Sequence, residues 1–243
     1  MNARPFTQAG LMAFALALGF QHASLATERP TVVELFTSQS CSSCPPADAI
    51  LGELAKRPDL LALSFHVDYW DNLGWKDPYS LRAATARQRH YAETLRAQVY
   101  TPQLVVDGQS QVIGSDSSSI ESALQLQQHK GVAIAMHGNG GRIDIQVGGA
   151  GSEEGTRTAD VLLITFDPAH KTSVHGGENG GRFLMTYNDV RSIRSVGIWH
   201  GEPLALQVDR GADEIGSLAA AVVQSSVDGK VYAATTLELS KSE

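Results

Sequence analysis

A closely spaced pair of cysteines, Cys41 and Cys44, is the feature that most limits what this chain can fold into and do. They are its two cysteines in 243 residues, and they lie in the segment VVELFTSQSCSSCPPAD, Val32 to Asp48. Such a pair is a redox couple, two ligands of a metal ion or a small structural disulfide. A disulfide between them closes a very short loop and restrains the unfolded chain little, so a purely structural purpose offers little stability.

The cysteines stand between a predicted strand and a predicted helix. TVVELFT (Thr31 to Thr37) is a β-rich apolar run typical of a strand buried on both faces, and apolar residues recur at helical spacing from Ala47 to Leu54. At the start of a helix, backbone N–H groups and the helix dipole stabilise a thiolate. We therefore assign Cys41 as the nucleophile and Cys44 as the resolving cysteine. The two prolines that follow place the start of the regular helix after the pair, so the dipole acts less directly on Cys41.

The rest of the first half alternates strand and helix. LLALSFHVDYW (Leu60 to Trp70) predicts a second buried strand, and the arginine-rich stretch from Tyr79 to Val99 predicts an amphipathic helix. QLVVDGQSQVIGS (Gln103 to Ser115) predicts a hairpin, and Ser118 with Glu121 predicts a capping box at the start of a last helix. This order predicts parallel central strands with an antiparallel edge, which is the arrangement of an α/β thioredoxin-like domain.

The second half has a different pattern. Short apolar runs such as GRIDIQVGG, ADVLLITFDP and SLAAAVVQSS are separated mostly by glycine, asparagine or aspartate. Roughly seven or eight such runs predict an all-β sandwich domain, for which an immunoglobulin-like arrangement is one candidate. The predicted organisation is therefore a signal peptide at 1–26, a thioredoxin-like domain at 27–129 and a β-sandwich domain at 130–243.

The first 26 residues predict export. Arg4 precedes the apolar run GLMAFALALGF (Gly10 to Phe20), and SLA (Ser24 to Ala26) places small residues before a cleavage site. The apolar run is too short for a bilayer, which takes about 20 residues. We expect a periplasmic or secreted protein without a membrane span. The net charge of −7 argues against a nucleic-acid partner.

Two further features are candidates for catalysis. Thr101 and Pro102 directly precede a predicted strand, where thioredoxin-like proteins carry a cis-proline that faces the cysteines and frees the adjoining backbone to pair with a substrate. We predict a cis bond here, and a trans-proline on an edge strand is the alternative. Glu34 lies inside the apolar run before Cys41, where a buried carboxylate beneath a dithiol relays a proton. An edge position facing water is its alternative.

The segment HVDYWDNLGWKDP follows the second predicted strand and is a candidate for binding. The carboxyl ends of parallel strands line ligand crevices, and the cysteine pair is predicted at the same end. Aromatic side chains there offer an apolar recognition surface with polar handles, or else pack beneath the β-domain. The candidate binding residues are His66, Asp68, Tyr69, Trp70 and Trp75. The glycine-rich HGGENGGR (His175 to Arg182) lacks the lysine of a phosphate loop and predicts a β-turn.

With these motifs, the chain resembles the secreted thioredoxin-like family of domain of unknown function 1223. VVELFTSQSCSSCPPAD, HVDYWDNLGWKDPYS, VYTPQLVVDG and GENGGRFLMTYNDVRSI carry the resemblance. It implies a thioredoxin-like domain with an appended β-domain, and it supplies no substrate. This chain departs from the family pattern at Asp189, where the resemblance leads us to expect a valine.

The leading functional hypothesis is an exported thiol–disulfide oxidoreductase that acts on protein thiols or disulfides. Thr101 before Pro102 resembles reductases and isomerases more than strong oxidases. A chain with two cysteines needs an external electron donor or acceptor protein, and we expect no cofactor and assign no metal ligands. One alternative is copper binding, because thiolates select Cu(I) and His66 is a candidate third ligand. The other is a non-catalytic interaction module with an inert disulfide.

Overall fold

The computed structural model describes residues 27–127, 130–139, 141–150, 157–210 and 216–239. Strands hold 45% of the structure and helices 16%. The predicted signal peptide at 1–26 lies outside the described residues. The predicted domain boundary adjoins residues 128 and 129, which are also outside them, and it stays a prediction.

Three helices form within the described ranges, and all belong to the first half. They are α1 (Pro45–Leu54), α2 (Arg82–Thr94) and α3 (Ser117–Gln125). Proline occupies the start of α1, where a missing N–H costs nothing. Asp116 caps α3, because its side chain accepts hydrogen bonds from the backbone N–H groups of Ser118 and Ser119. The predicted capping box of Ser118 and Glu121 is therefore wrong, since the cap lies two residues earlier.

The strands continue from the first half into the second. In chain order they are β1 (Thr27–Glu28), β2 (Thr31–Thr37), β3 (Leu60–His66), β4 (Gln103–Val106), β5 (Ser110–Ile113), β6 (Lys130–Gly131), β7 (Ile134–Asn139), β8 (Arg142–Val147), β9 (Ala159–Ser173), β10 (Phe183–Trp199), β11 (Leu204–Asp209), β12 (Leu218–Gln224) and β13 (Val231–Glu238). The prediction of strands through the second half is confirmed.

One mixed sheet of eight strands crosses both halves, in the order β13-β12-β9-β10-β3-β2-β4-β5. The junction is β10, which runs parallel to β3 with Asp189 opposite Ser64. The predicted fold class, an α/β thioredoxin-like domain followed by an all-β sandwich domain, is therefore wrong. Most of its strands were predicted, but the edge of β3 needs a backbone partner and takes it from the second half. The apolar periodicity of a segment predicts that it is a strand, but it does not predict which strand lies beside it in the sheet.

The sheet also curls, so that strands far apart in its order meet. The side-chain amide of Gln109 donates to the carbonyl of Asp228 at 2.8 Å, which joins the β4–β5 turn to the β12–β13 turn. A Cβ atom added to Gly108 would lie 2.0 Å from the carbonyl oxygen of Gly229. Only glycine allows this close approach of two backbones.

Three apolar cores fill the molecule. The first lies between α1, α3 and one face of β2–β4 and includes Leu35, Leu51 and Leu104. The second lies under α2 on the opposite face and draws in Ile164 and Val222 from the second half. The third packs a three-stranded sheet, in the order β11-β8-β7, against the far part of the large sheet around Trp199. The second half is thus a sandwich that shares one of its sheets with the first half.

Candidate functional site

The cysteines form a disulfide immediately before α1. Cys41 and Cys44 are bonded, with their Cα atoms 5.4 Å apart, and the two residues are 1% and 0% exposed. Cys44 is the N-cap residue of α1 and the helix begins at Pro45, as the sequence predicted. The N–H of Cys44 donates to the carbonyl of Cys41 at 3.2 Å, which closes a tight turn between them.

A loop from the second half covers this turn. We call residues 174–182, which connect β9 to β10, the hairpin tip. The carboxylate of Glu178 accepts a hydrogen bond of 2.9 Å from the backbone N–H of Ser42, between the two cysteines. The side-chain amide of the buried Asn179 donates to the carbonyls of Gln39 at 3.0 Å and Cys41 at 2.8 Å. The turn predicted in this glycine-rich segment therefore belongs to the cysteine site.

Glycines let the hairpin tip approach so closely. A Cβ atom on Gly176 would lie 2.0 Å from the carbonyl oxygen of Gly74, in the loop after β3. Gly177 has a positive φ of 66° and packs against Ser40 and Trp75. A side chain at either position would push the tip away from the cysteines. The repeated glycines of HGGENGGR were the one sequence signal of this close contact.

A largely buried cluster of charged and polar groups contacts the segment that leads to Cys41. We call His66, Asp77, Asp189, His170 and Thr186 the His66 cluster. The Nδ1 atom of His66 is 2.7 Å from Asp77, and its Nε2 atom is 3.1 Å from Asp189. Because both ring nitrogens face carboxylate oxygens, the imidazole is doubly protonated and donates to each. Asp189 also accepts from Thr186 at 2.6 Å and pairs with Nδ1 of His170 at 2.9 Å.

The electrostatics of the His66 cluster favour its charged forms. Burial by itself would lower the pKa of His66, but the two carboxylates outweigh it and raise that pKa well above its ordinary value. Burial would raise the pKa values of Asp77 and Asp189, but the imidazolium and hydrogen bonds lower both. Asp77 also accepts from the N–H of Gln39 at 2.8 Å, so the cluster holds the segment that leads to Cys41.

Asp48 is a buried carboxyl group that sequence reasoning missed. It lies on α1 one turn after Cys44, and it accepts a hydrogen bond of 2.8 Å from the hydroxyl of Thr37. Burial raises its pKa to about 7, although His66 and Thr37 act in the opposite direction. The signal in the sequence was an aspartate on the apolar face of a helix beside Ala47 and Leu51.

Glu34 lies on the opposite face of the sheet from the cysteines. Residues alternate along β2, so Leu35 faces α1 while Glu34 faces α2. Its buried carboxylate pairs with Arg87 and accepts from the hydroxyl of Tyr91. Gln224 of β12 bonds both of those partners, at 2.7 Å and 2.9 Å. The position predicted for Glu34, beneath the dithiol, is therefore wrong, and Asp48 is the buried carboxyl group next to Cys44.

Thr101 and Pro102 lie where β4 begins. The peptide bond between them is cis, as predicted. The carbonyl of Pro102 accepts from the N–H of Gly114 at 3.0 Å, and a Cβ atom on Gly114 would contact both Pro102 and Ala47 of α1 at 3.2 Å. Pro102 is thus close to the first turn of the helix that follows Cys44. The hydroxyl of Thr101 accepts from the indole of Trp70 at 3.0 Å.

The candidate binding residues separate into three groups. His66 is fully buried in its cluster. Asp68, Tyr69 and Trp70 lie toward α2: Asp68 accepts from Thr85 at 2.5 Å and the Tyr69 hydroxyl donates to Gln88 at 3.2 Å. Trp75 reaches the cysteine segment, because its indole donates to the side chain of Gln39 at 3.1 Å and packs edge-on against His175 of the hairpin tip. Trp75 is the aromatic residue of this set that contacts the cysteine segment.

The part of the chain that the structure describes has no group of three or more His, Cys, Asp or Glu side chains arranged to hold a metal ion. None of the three described helices combines the length and apolar character that a membrane crossing requires.

In this fold, one mixed sheet carries a C-x-x-C disulfide beneath a hairpin from the second half. The chain belongs to the family described as protein of unknown function (DUF1223), which matches residues 32–224. No curated protein matches it.

Two solved structures are similar over most of the chain. The crystal structure of protein AGR_C_4864 from Agrobacterium tumefaciens is 30% identical, with a TM-score of 0.75, and the match covers 90% of this chain and 98% of that one. HBP35 of Porphyromonas gingivalis is 13% identical with a TM-score of 0.64, over 89% of this chain and 77% of that one. The second likeness is one of fold alone.

Proposed function

We propose that this protein is an exported thiol–disulfide oxidoreductase that acts on protein thiols or disulfides through Cys41 and Cys44. The observation that carries the proposal is the disulfide at the start of α1, next to buried groups that can exchange protons. A disulfide that spans two intervening residues adds little stability, so exchange chemistry is the better reason for its presence.

The reaction balances with the chain's own sulfurs and one partner. In the reducing direction, the Cys41 thiolate attacks a substrate disulfide, forms a mixed disulfide and releases one substrate thiolate. Cys44 loses its proton and attacks Cys41 Sγ, which releases the second substrate thiolate and forms the Cys41–Cys44 disulfide. Two electrons pass to the substrate. An external dithiol protein then returns two electrons to the pair by the same exchange in reverse.

The direction and the compartment are part of the proposal. Thr101 before Pro102 supports a reducing or isomerising role over strong oxidation. The apolar segment at Gly10 to Phe20 supports export to the periplasm or the medium, where disulfide exchange has substrates.

Trapping of mixed disulfides tests the proposal. In Cys44→Ser, the reduced Cys41 thiol attacks a disulfide-bonded protein such as insulin but cannot release it, so a covalent adduct accumulates that dithiothreitol dissolves. Cys41→Ser is the matched control, because it keeps one thiol and loses the nucleophile. Thiol trapping and gel mobility measure the adducts that each variant forms. Adducts with Cys41→Ser alone would reverse the assigned roles, and adducts with neither variant would contradict the proposal.

A further inference from the structure

The hairpin tip places a carboxylate on a backbone N–H that lies between the two cysteines. Glu178 accepts from Ser42 at 2.9 Å, and hydrogen bonds from the side chain and the N–H of Ser42 lower the pKa of Glu178. This carboxylate is therefore charged at neutral pH. Ser42 directly follows Cys41, so this charge lies one residue from the proposed nucleophile.

The hydroxyl of Ser43 lies 3.3 Å from Cys41 Sγ and can donate to a thiolate there, but the start of the helix supplies fewer backbone donors than usual. Prolines at positions 45 and 46 have no N–H, so the first turn of α1 lacks two of the groups that make a helix start attractive to anions. The N–H groups of Ala47 and Asp48 donate to the carbonyl of Cys44, at 2.8 Å and 3.1 Å. Because α1 supplies fewer N–H groups, the loss of the Ser42 N–H to Glu178 should weaken stabilisation of a Cys41 thiolate more than it would at an ordinary helix start.

Asn179 holds the tip in place. It is fully buried, and its side chain binds the carbonyls of Gln39 and Cys41 while accepting from Arg182 at 2.7 Å. The same contacts fix the backbone of Cys41 itself. Opening the tip therefore breaks these hydrogen bonds, and the Glu178 carboxylate leaves Ser42 with them.

Charged groups face the cysteine turn from each neighbouring element. Glu178 and Arg182 come from the hairpin tip, with Arg182 directed to Asn179. Asp48 comes from α1, and burial keeps much of it protonated near neutral pH. His66 and Asp77 act from below through the Gln39 N–H. Glu178 is the one member of this set that bonds directly to the backbone between the cysteines.

We propose that Glu178 is a positioning residue that suppresses the thiolate form of Cys41 for as long as the hairpin tip is closed. The inference concerns regulation of the site proposed above and rests on Cys41 being its reacting thiol. When Cys41 is reduced, its thiolate and the Glu178 carboxylate compete for the Ser42 N–H and repel each other. A partner that displaces the tip removes the carboxylate and leaves that N–H to the thiolate, so docking itself activates the thiol.

The test compares Glu178→Gln with the native residue in the Cys44→Ser background, where Cys41 is the single thiol. Glutamine keeps an oxygen that accepts from Ser42 and removes the charge, so the tip stays closed. We expect the thiolate fraction of Cys41 at neutral pH to rise about 3- to 10-fold. The pH dependence of thiolate absorbance and of alkylation rate measures it. Glu202→Gln, which removes another exposed carboxylate elsewhere in the second half, is the matched control and should change neither.

The outcomes separate this inference from the proposed function. An unchanged Cys41 titration in Glu178→Gln, or an equal shift in Glu202→Gln, would overturn the inference even if the protein exchanges disulfides. A shift specific to Glu178→Gln supports it. If that shift occurs while neither protein forms adducts with insulin, the control of Cys41 by Glu178 is supported and the proposed oxidoreductase function is contradicted.

Discussion

Two buried ionic clusters join the halves of this molecule, and they differ in what they can do. The His66 cluster links β3 to Asp189 of β10, and the Glu34 cluster, which comprises Glu34, Arg87, Tyr91 and Gln224, links β2 to β12. In the first, the cation is an imidazole that titrates. In the second it is a guanidinium, and the neighbouring carboxylate raises its pKa still further.

The difference shows why a buried carboxylate is not by itself evidence of catalysis. Glu34 is paired with Arg87 on the face of the sheet away from the cysteines, so it does not contact them. Asp48 lies next to Cys44, and burial brings its pKa to about 7. Position on one sheet face and the chemistry of the partner decide which carboxylate can take part in thiol chemistry.

Removal of the imidazolium is expected to have the largest effect. His66→Gln leaves Asp77 and Asp189 buried without their cation, which should cost about 3–5 kcal/mol of unfolding free energy at pH 7. The cost should shrink in acid, as the pH falls through the lowered pKa values of the two carboxylates and they protonate. It should also shrink in alkali, as native His66 loses its proton above its raised pKa. Urea unfolding as a function of pH measures this.

Arg87→Leu is the matched variant in the other cluster. It leaves the buried carboxylate of Glu34 without its cation and should lower the free energy of unfolding by a similar amount, about 3–5 kcal/mol. Only His66→Gln should also raise the pKa of the Cys41 thiol, because it removes a positive charge on the cysteine side. Equal effects of both variants on that thiol would remove the functional distinction between the clusters.

Asp48→Asn should stabilise the protein above neutral pH, whereas the two variants above destabilise it. Since the native pKa of Asp48 is raised from 3.8 to about 7, the native state holds a proton that the unfolded state has lost between these values. Stability therefore falls as the pH rises through that window, by up to about 4 kcal/mol. Asparagine never ionises and still accepts from Thr37. The variant should match the native protein near pH 4 and exceed its stability at pH 8, by calorimetry or urea unfolding.

A smaller effect is expected at Ser43. Its hydroxyl lies 3.3 Å from Cys41 Sγ and can donate to a thiolate there. Ser43→Ala should raise the pKa of the Cys41 thiol by a few tenths of a unit, about a twofold loss of thiolate at neutral pH. Alkylation rates measure it, with Ser122→Ala on α3 as the control. A fall in the thiol pKa would mean that the Ser43 hydroxyl does not donate to the thiolate.

Much of the local structure was predictable from the sequence. The order of helices and strands in the first half and the start of α1 after the cysteines follow from apolar periodicity and from proline chemistry. The cis bond before Pro102 was predicted from the likeness to thioredoxin-like proteins, which carry a cis-proline at this place. Of the five candidate binding residues, Trp75 contacts the cysteine segment, and its role in binding stays a prediction. The sheet face on which Glu34 lies was not predictable. An apolar run that is buried on both sides does not indicate which side carries the helix and its cysteines.

The sequence by itself determined that a C-x-x-C pair stands between a buried strand and a helix, and that the second half is made of strands. The tertiary structure alone decided that β10 completes the sheet beside β3, that Asp189 meets His66, and that Glu178 lies on Ser42. Those partners are separated by 123 and 136 residues. Local spacing encodes the type of an element, whereas contacts at such separations depend on which sheet edge and which cavity remain for the later strands to fill.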